Sequence, residues 1–157
     1  MGMEVKVVHG DLLDQDVDVI VNAWNRNIIP WWLLLPQGVS GAIKHRAGVR
    51  PFLELPWRPL PLGGAVITSA GRLKHKAIIH VAGINLFWQA SEHSIRNSVS
   101  NALNLATAEG YSSIAFPVIG AGSGSFPKSK ALEIMTKAIA QSQTRLRVII
   151  ADFDERP

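Results

Sequence analysis

Cysteine is absent from all 157 residues, which excludes disulfides, thiolate zinc sites and cysteine nucleophiles together. Long apolar runs are missing too. Stretches such as Trp31-Trp32-Leu33-Leu34-Leu35, bounded by Pro30 and Pro36, fall far short of the ~20 residues that a membrane-spanning helix needs. No export pattern opens the chain, because Met1-Gly2-Met3-Glu4 leads straight into alternating strand residues, so the expectation is a cytoplasmic protein with no membrane partner. Neither a metal-ligand spacing nor a zinc finger nor an aromatic ribonucleoprotein motif occurs, and no metal or cofactor is expected. What is present is the composition of a folded domain: 47% apolar and 18% charged residues, with 13 glycines and 9 prolines scattered along the chain. Such a chain buries one core, and residues 1–157 are expected to form a single domain.

The net charge of +4 and a sequence pI near 9.8 favour phosphate-bearing partners. Lys44, His45, Arg46, Arg50 and Arg58 come nearest to a basic cluster. An ordinary solvated basic face is the preferred account of them, and nucleic acid stays open as a partner without being required.

The pattern of elements is that of an α/β protein. Strands are expected at Val5–His9, Val17–Ala23, Gly64–Ser69, Ala77–Ala82, Ser113–Ile119 and Leu146–Ala151, from alternation or from dense β-branched runs. Ile95, Val99, Ala102, Leu103 and Ala106 recur at helical spacing and predict an amphipathic helix over Ser91–Glu109, stopped by Gly110. A second helix is expected from Pro127 to about Ser142, and a short one over Val39–Ala47 closed by Gly48. Val49 to Gly63 holds four prolines and is expected to contain no regular helix.

Two turns have chemical potential. Gly120-Ala121-Gly122-Ser123-Gly124-Ser125 lies between a buried strand and a helix N-terminus, where bare backbone N–H groups and the helix dipole attract phosphate. It is neither a Walker A loop nor a GxGxxG fingerprint, and a tight connection with no ligand accounts for the same residues. Gln37-Gly38-Val39-Ser40-Gly41 also opens a helix, and two such turns suit a diphosphate. Asp11 follows the first strand, and Asn22 and Asn25 close the second, at strand ends where open α/β sheets assemble ligand sites. Turn capping by Asp11 and loop support by the two asparagines are the competing roles.

Taken in order, Val8-His9-Gly10-Asp11-Leu12, Val19-Ile20-Val21-Asn22-Ala23-Trp24-Asn25, Gly38-Val39-Ser40-Gly41-Ala42-Ile43 and Ile114-Ala115-Phe116-Pro117-Val118-Ile119-Gly120-Ala121-Gly122 resemble the signatures of a macrodomain. The resemblance spans nearly the whole chain and implies a three-layer α/β/α sandwich with a mixed central sheet and a cleft for ADP-ribose. By position, Asp11 would accept from the adenine amine, with the backbone of Leu12 beside the ring and Phe153 packed on it. Asn25 would hold the distal ribose, with Asn22 supporting the loop. Backbone amides of Val39 and Ser40, and of Gly122, Ser123 and Gly124, would cradle the diphosphate.

This sequence also departs from the family pattern. The usual glycine run is replaced by Leu35-Pro36-Gln37-Gly38 after Ile28-Ile29-Pro30-Trp31-Trp32. Ser40 stands where the best-known hydrolases carry an aspartate, and Gln37 where another subgroup has a lysine. Gly124 replaces an aromatic over the distal ribose, which makes Trp31, Trp32 and Phe126 candidates for that wall, although burial or a dimer contact would also occupy the two indoles. Lys44 and His45 lie on the helix after the first phosphate turn, whereas His9 and His80 fall on strands and are expected at the edge or in the core. The resemblance implies binding of ADP-ribose and hydrolysis of its linkage to protein or DNA, with Asn25 and Gln37 as the candidate catalytic residues. The alternative is a non-catalytic reader of ADP-ribosylated protein or nucleic acid.

Overall fold

The computed structural model describes residues 5–25, 43, 45–48, 50–54, 64–84, 91–120 and 126–152. Its centre is a six-stranded sheet of β1 (Val5–His9), β2 (Val19–Asn25), β3 (Ala65–Thr68), β4 (Ala77–Ile84), β5 (Ser113–Pro117) and β6 (Arg147–Asp152). The spatial order is β1-β6-β5-β2-β4-β3. Five strands are mutually parallel and β3 runs antiparallel to β4, so the mixed sheet that the resemblance implies is present.

Parallel strands need both faces covered, and the sequence supplies two sets of inward residues. On one face Val19, Val21, Ile79, Val81, Ile114 and Phe116 pack against the helices α2 (Glu92–Ala108) and α3 (Lys128–Ser142). On the other face Ile20, Ile78, Ala115 and Ile149 meet Leu12 and Leu13 of a 3-10 turn, together with Ile43 and Ala47. The helical spacing in α2 works as expected: Ile95, Val99, Ala102, Leu103 and Ala106 are all buried. Ser91 starts that helix with a reciprocal capping box to Ser94, and Gly110 follows it with positive φ.

Some boundaries differ from the sequence reading. The second strand sits two residues later, at Val19–Asn25, because its pairing follows β4 to the end. The fifth stops at Pro117, which has no N–H for a ladder. Pro127 caps α3 instead of occupying its first turn. Residues 43 and 45–47 are helical and end at Gly48, whose φ is +88°. The proline-rich stretch does hold one regular element, α1 (Arg50–Leu53), contrary to expectation. Pro51 is tolerated there because a residue in the first helical turn has no acceptor for the N–H that proline lacks.

Gly71 joins the covering segment to the sheet. Its φ is +59°, and a Cβ there would clash with the backbone oxygen of Ala47, the same oxygen that accepts from Arg72 N at 3.0 Å. Gly71→Ala is therefore expected to lose roughly 1 to 3 kcal/mol of stability, measured by urea unfolding. An unaltered midpoint would show that this contact relaxes freely.

Candidate functional site

The C-terminal ends of the five parallel strands lie along one edge of the sheet. After β2 the described chain resumes with Ile43 and Ala47 on the face of Leu12 and Leu13, and after β5 it resumes with α3 on the opposite face, so their connections diverge. Ligand crevices form at such a switch point. The ladder between these two strands covers Val19↔Ile114 and Ile20↔Ala115, although β2 continues to Asn25 and β5 to Pro117. Beyond Ile20 and Ala115 the two strands share no further ladder pair, and in sequence the glycine-bearing segments Gln37–Gly41 and Gly120–Ser125 come after β2 and β5.

Of the expected site residues, Asp11, Leu12, Asn22 and Phe126 lie in described structure, and Asn25 does as backbone. Asp11 stands just beyond β1. Its Oδ1 accepts from Leu13 N at 2.9 Å, and its backbone oxygen accepts from Gln15 Nε2 at 2.9 Å. Arg46 Nη1 approaches its Oδ2 at 3.7 Å and Asp14 Oδ1 at 3.1 Å. The turn-capping role is thus real, yet the carboxylate stays 39% exposed and retains acceptor capacity. Leu12 buries its side chain in the core, which leaves only its backbone for a ligand.

Asn22 is fully buried and places Nδ2 3.0 Å from His80 Nδ1. It sits beneath the rim, in a supporting position. Asn25 ends β2, immediately after a shift in register against β4. Phe126 packs against the core on the α2–α3 face, and its N–H donates to Gly120 O at 2.9 Å. His45 is exposed, and its carbonyl accepts from Arg72. Gln37, Val39, Ser40, Gly122, Ser123, Gly124, Phe153, Trp31, Trp32 and Lys44 lie outside the described residues. No group of three His, Asp or Glu side chains suited to a metal occurs among the described residues.

Sequence reasoning missed one arrangement at this edge. Asp152, the last residue of β6, is buried; its carboxylate lies 3.0 Å from Lys128 Nζ and 3.8 Å from His9 Nδ1. Its carbonyl accepts from Gly10 N at 3.2 Å. The pair ties the start of α3 to the strand end beside Asp11. The available signal was a carboxylate closing the apolar run Val148-Ile149-Ile150-Ala151-Asp152.

Two histidines are held neutral. Complete burial pushes His80 down to about 3. Burial also lowers His75, against the opposing effect of its hydrogen bond to Gln15 O. Asp18 is lowered chiefly by the N–H of Ser112, and Glu54 by Ser69; both lie away from the crevice, at the opposite edge of the sheet.

A mixed sheet covered on both faces, with the pairing of β2 and β5 ending before their C-terminal ends, defines the class as a layered α/β architecture. The macro domain model matches residues 21–135, and the chain belongs to the macro domain family. It is 41% identical over 155 residues to an O-acetyl-ADP-ribose deacetylase of Citrobacter rodentium, covering 92% of this chain and 83% of that one. It is 43% identical over 141 residues to a macro domain-containing protein of Listeria monocytogenes, covering 84% and 76%. Among solved structures, the Oceanobacillus iheyensis macrodomain with ADP superposes with a TM-score of 0.79 at 32% identity, over 97% of this chain and 84% of that one.

Proposed function

We propose that the chain binds ADP-ribose in the crevice between the ends of β2 and β5 and hydrolyses the bond joining the distal ribose to a substituent on protein or DNA, with O-acetyl-ADP-ribose as a small-molecule counterpart. The observation that carries this reading is the parting of β2 from β5 above Ile20 and Ala115, between two turns whose sequences suit a diphosphate. The O-acetyl-ADP-ribose deacetylase name of the Citrobacter relative supports it, as does ADP in the Oceanobacillus structure. Asp11 would read the adenine amine, and Asn25 the distal ribose.

Breaking a bond at the anomeric carbon passes through an oxocarbenium-like state, whereas release of acetate from O-acetyl-ADP-ribose is ester hydrolysis, in which water adds to the acyl carbon and the ribose oxygen leaves with a proton. The task is to hold the diphosphate, orient the ribose and position water, because fixed geometry replaces most of the entropic barrier. Asn25 and Gln37 are the candidates for that positioning. Ser40, in place of the aspartate of the best-known hydrolases, favours the second reading, a reader that binds without turnover. Incubation with O-acetyl-ADP-ribose and with ADP-ribosylated protein and DNA, following free ADP-ribose and acetate, separates the two. Binding of ADP-ribose with release from none of the three establishes the reader, and calorimetry without heat at millimolar ADP-ribose overturns both.

Trp31 and Trp32 enter here as candidates for the wall around the acceptor. Replacing either with alanine is expected to lower turnover of an ADP-ribosylated macromolecule by about tenfold, since stacking contributes roughly 1 to 3 kcal/mol, while binding of free ADP-ribose changes less. Equal loss of both, with a lower melting temperature, would assign the indoles to the core.

A further inference from the structure

His80 lies in the middle of a hydrogen-bond chain whose direction follows from its two ends. Thr68 Oγ1 donates to Ser69 O at 3.0 Å, so toward His80 Nε2, 2.9 Å away, it accepts. The ring proton therefore sits on Nε2, and Nδ1 accepts from Asn22 Nδ2 at 3.0 Å. All three side chains are buried, and they link the edge strand β3 through β4 to β2.

The position of this link matters. Asn22 and His80 are Cα partners, and the parallel register runs on to Trp24↔Ala82 before it shifts, so that Asn25 pairs with Ile84. The extra residue, Gly83, lies on β4, so the partner that Asn25 meets across the ladder depends on the register held below it. The Asn22–His80 bond is a cross-strand tie two residues before the irregularity.

We infer that His80 is a positioning residue: by accepting from Asn22 it pins β2 against β4 just below the bulge, and so sets where Asn25 meets the distal ribose. This rests on the reading of Asn25 given under the proposed function. Thr68 acts one step further out: its hydroxyl accepts from Nε2–H and so favours the tautomer whose Nδ1 accepts from Asn22. A ring protonated on Nδ1 cannot accept from Asn22.

Thr68→Val, nearly isosteric and on the edge strand, provides the test. ADP lacks the distal ribose, so its affinity is expected to stay within about twofold of wild type. ADP-ribose should lose about tenfold, and turnover should fall in proportion. Nitrogen-15 spectra of labelled histidine should show a single Nε2–H tautomer for His80 in the wild type and a mixture in the variant, whereas Thr68→Ser should match the wild type throughout. An Nδ1–H tautomer in the wild type overturns the inference, as does a Thr68→Val protein whose preference for ADP-ribose over ADP is unchanged. A wild-type protein that binds neither nucleotide defeats the reading of the site and the inference with it; binding of both, with Thr68→Val indistinguishable, defeats the inference alone.

Discussion

Acidification from about pH 7.5 to about pH 4.5 is expected to cost the fold about 2 to 3 kcal/mol through His80 alone. The sign follows from where the proton binds. His80 is fully buried and its folded value is pushed from 6.5 to about 3, so below 6.5 the unfolded chain takes up a proton that the folded one excludes. Stability is intact above 6.5 and is lost progressively toward 3, at the slope set by one proton. His75, also lowered by burial, adds to the loss with the same sign. Asp18 and Glu54, lowered by their serine donors, contribute only at lower pH, where carboxylates gain protons. Urea unfolding at several pH values, wild type against His80→Gln, measures the effect. The variant is expected to be less stable at neutral pH but to show a flatter pH dependence. Parallel curves down to pH 4.5 would show that His80 does not exclude the proton.

His80 also shows how far the sequence could be followed. Its strand is legible from Ala77-Ile78-Ile79-His80-Val81-Ala82, and a core or edge position for it follows from that run. Its partnership with Asn22 is not, because that depends on which residue of β2 falls opposite it, and register is set by tertiary pairing. The same reason hides the Lys128–Asp152 pair, which joins the first residue of α3 to the last residue of β6. Helices α2 and α3 were legible because their apolar residues repeat at the helical period. The one-turn helix Arg50–Leu53 is not, since proline density argues against any helix over that stretch although the first turn of a helix tolerates proline. At the site, the glycine-bearing turns announce themselves through composition. The end of β2–β5 pairing after two residues does not, because it is a property of neither strand alone.

The sharpest test of the site concerns Asp11, where two roles meet in one carboxylate. Oδ1 accepts from Leu13 N and starts the 3-10 turn, while the exposed remainder of the group is the proposed acceptor for the adenine amine. Asp11→Ala removes both. Affinity for ADP-ribose is expected to drop by about 1.5 to 3 kcal/mol, the range for a hydrogen bond to a charged group, which is roughly tenfold to a hundredfold. Loss of the cap should cost the fold about 1 kcal/mol more. Asp11→Asn separates the roles. Its carbonyl oxygen can still cap Leu13 N, so stability should return, but its second atom is then a donor that faces the donor amine of adenine, so affinity should not. Arg46, at 3.7 Å from Oδ2, forms a surface pair too weak to mask the difference. Ribose 5-phosphate, which lacks the base, supplies the control and should bind all three proteins alike. Unchanged ADP-ribose affinity in a folded Asp11→Ala would reduce Asp11 to its turn. Full recovery of affinity in Asp11→Asn would show that the adenine amine is recognised elsewhere.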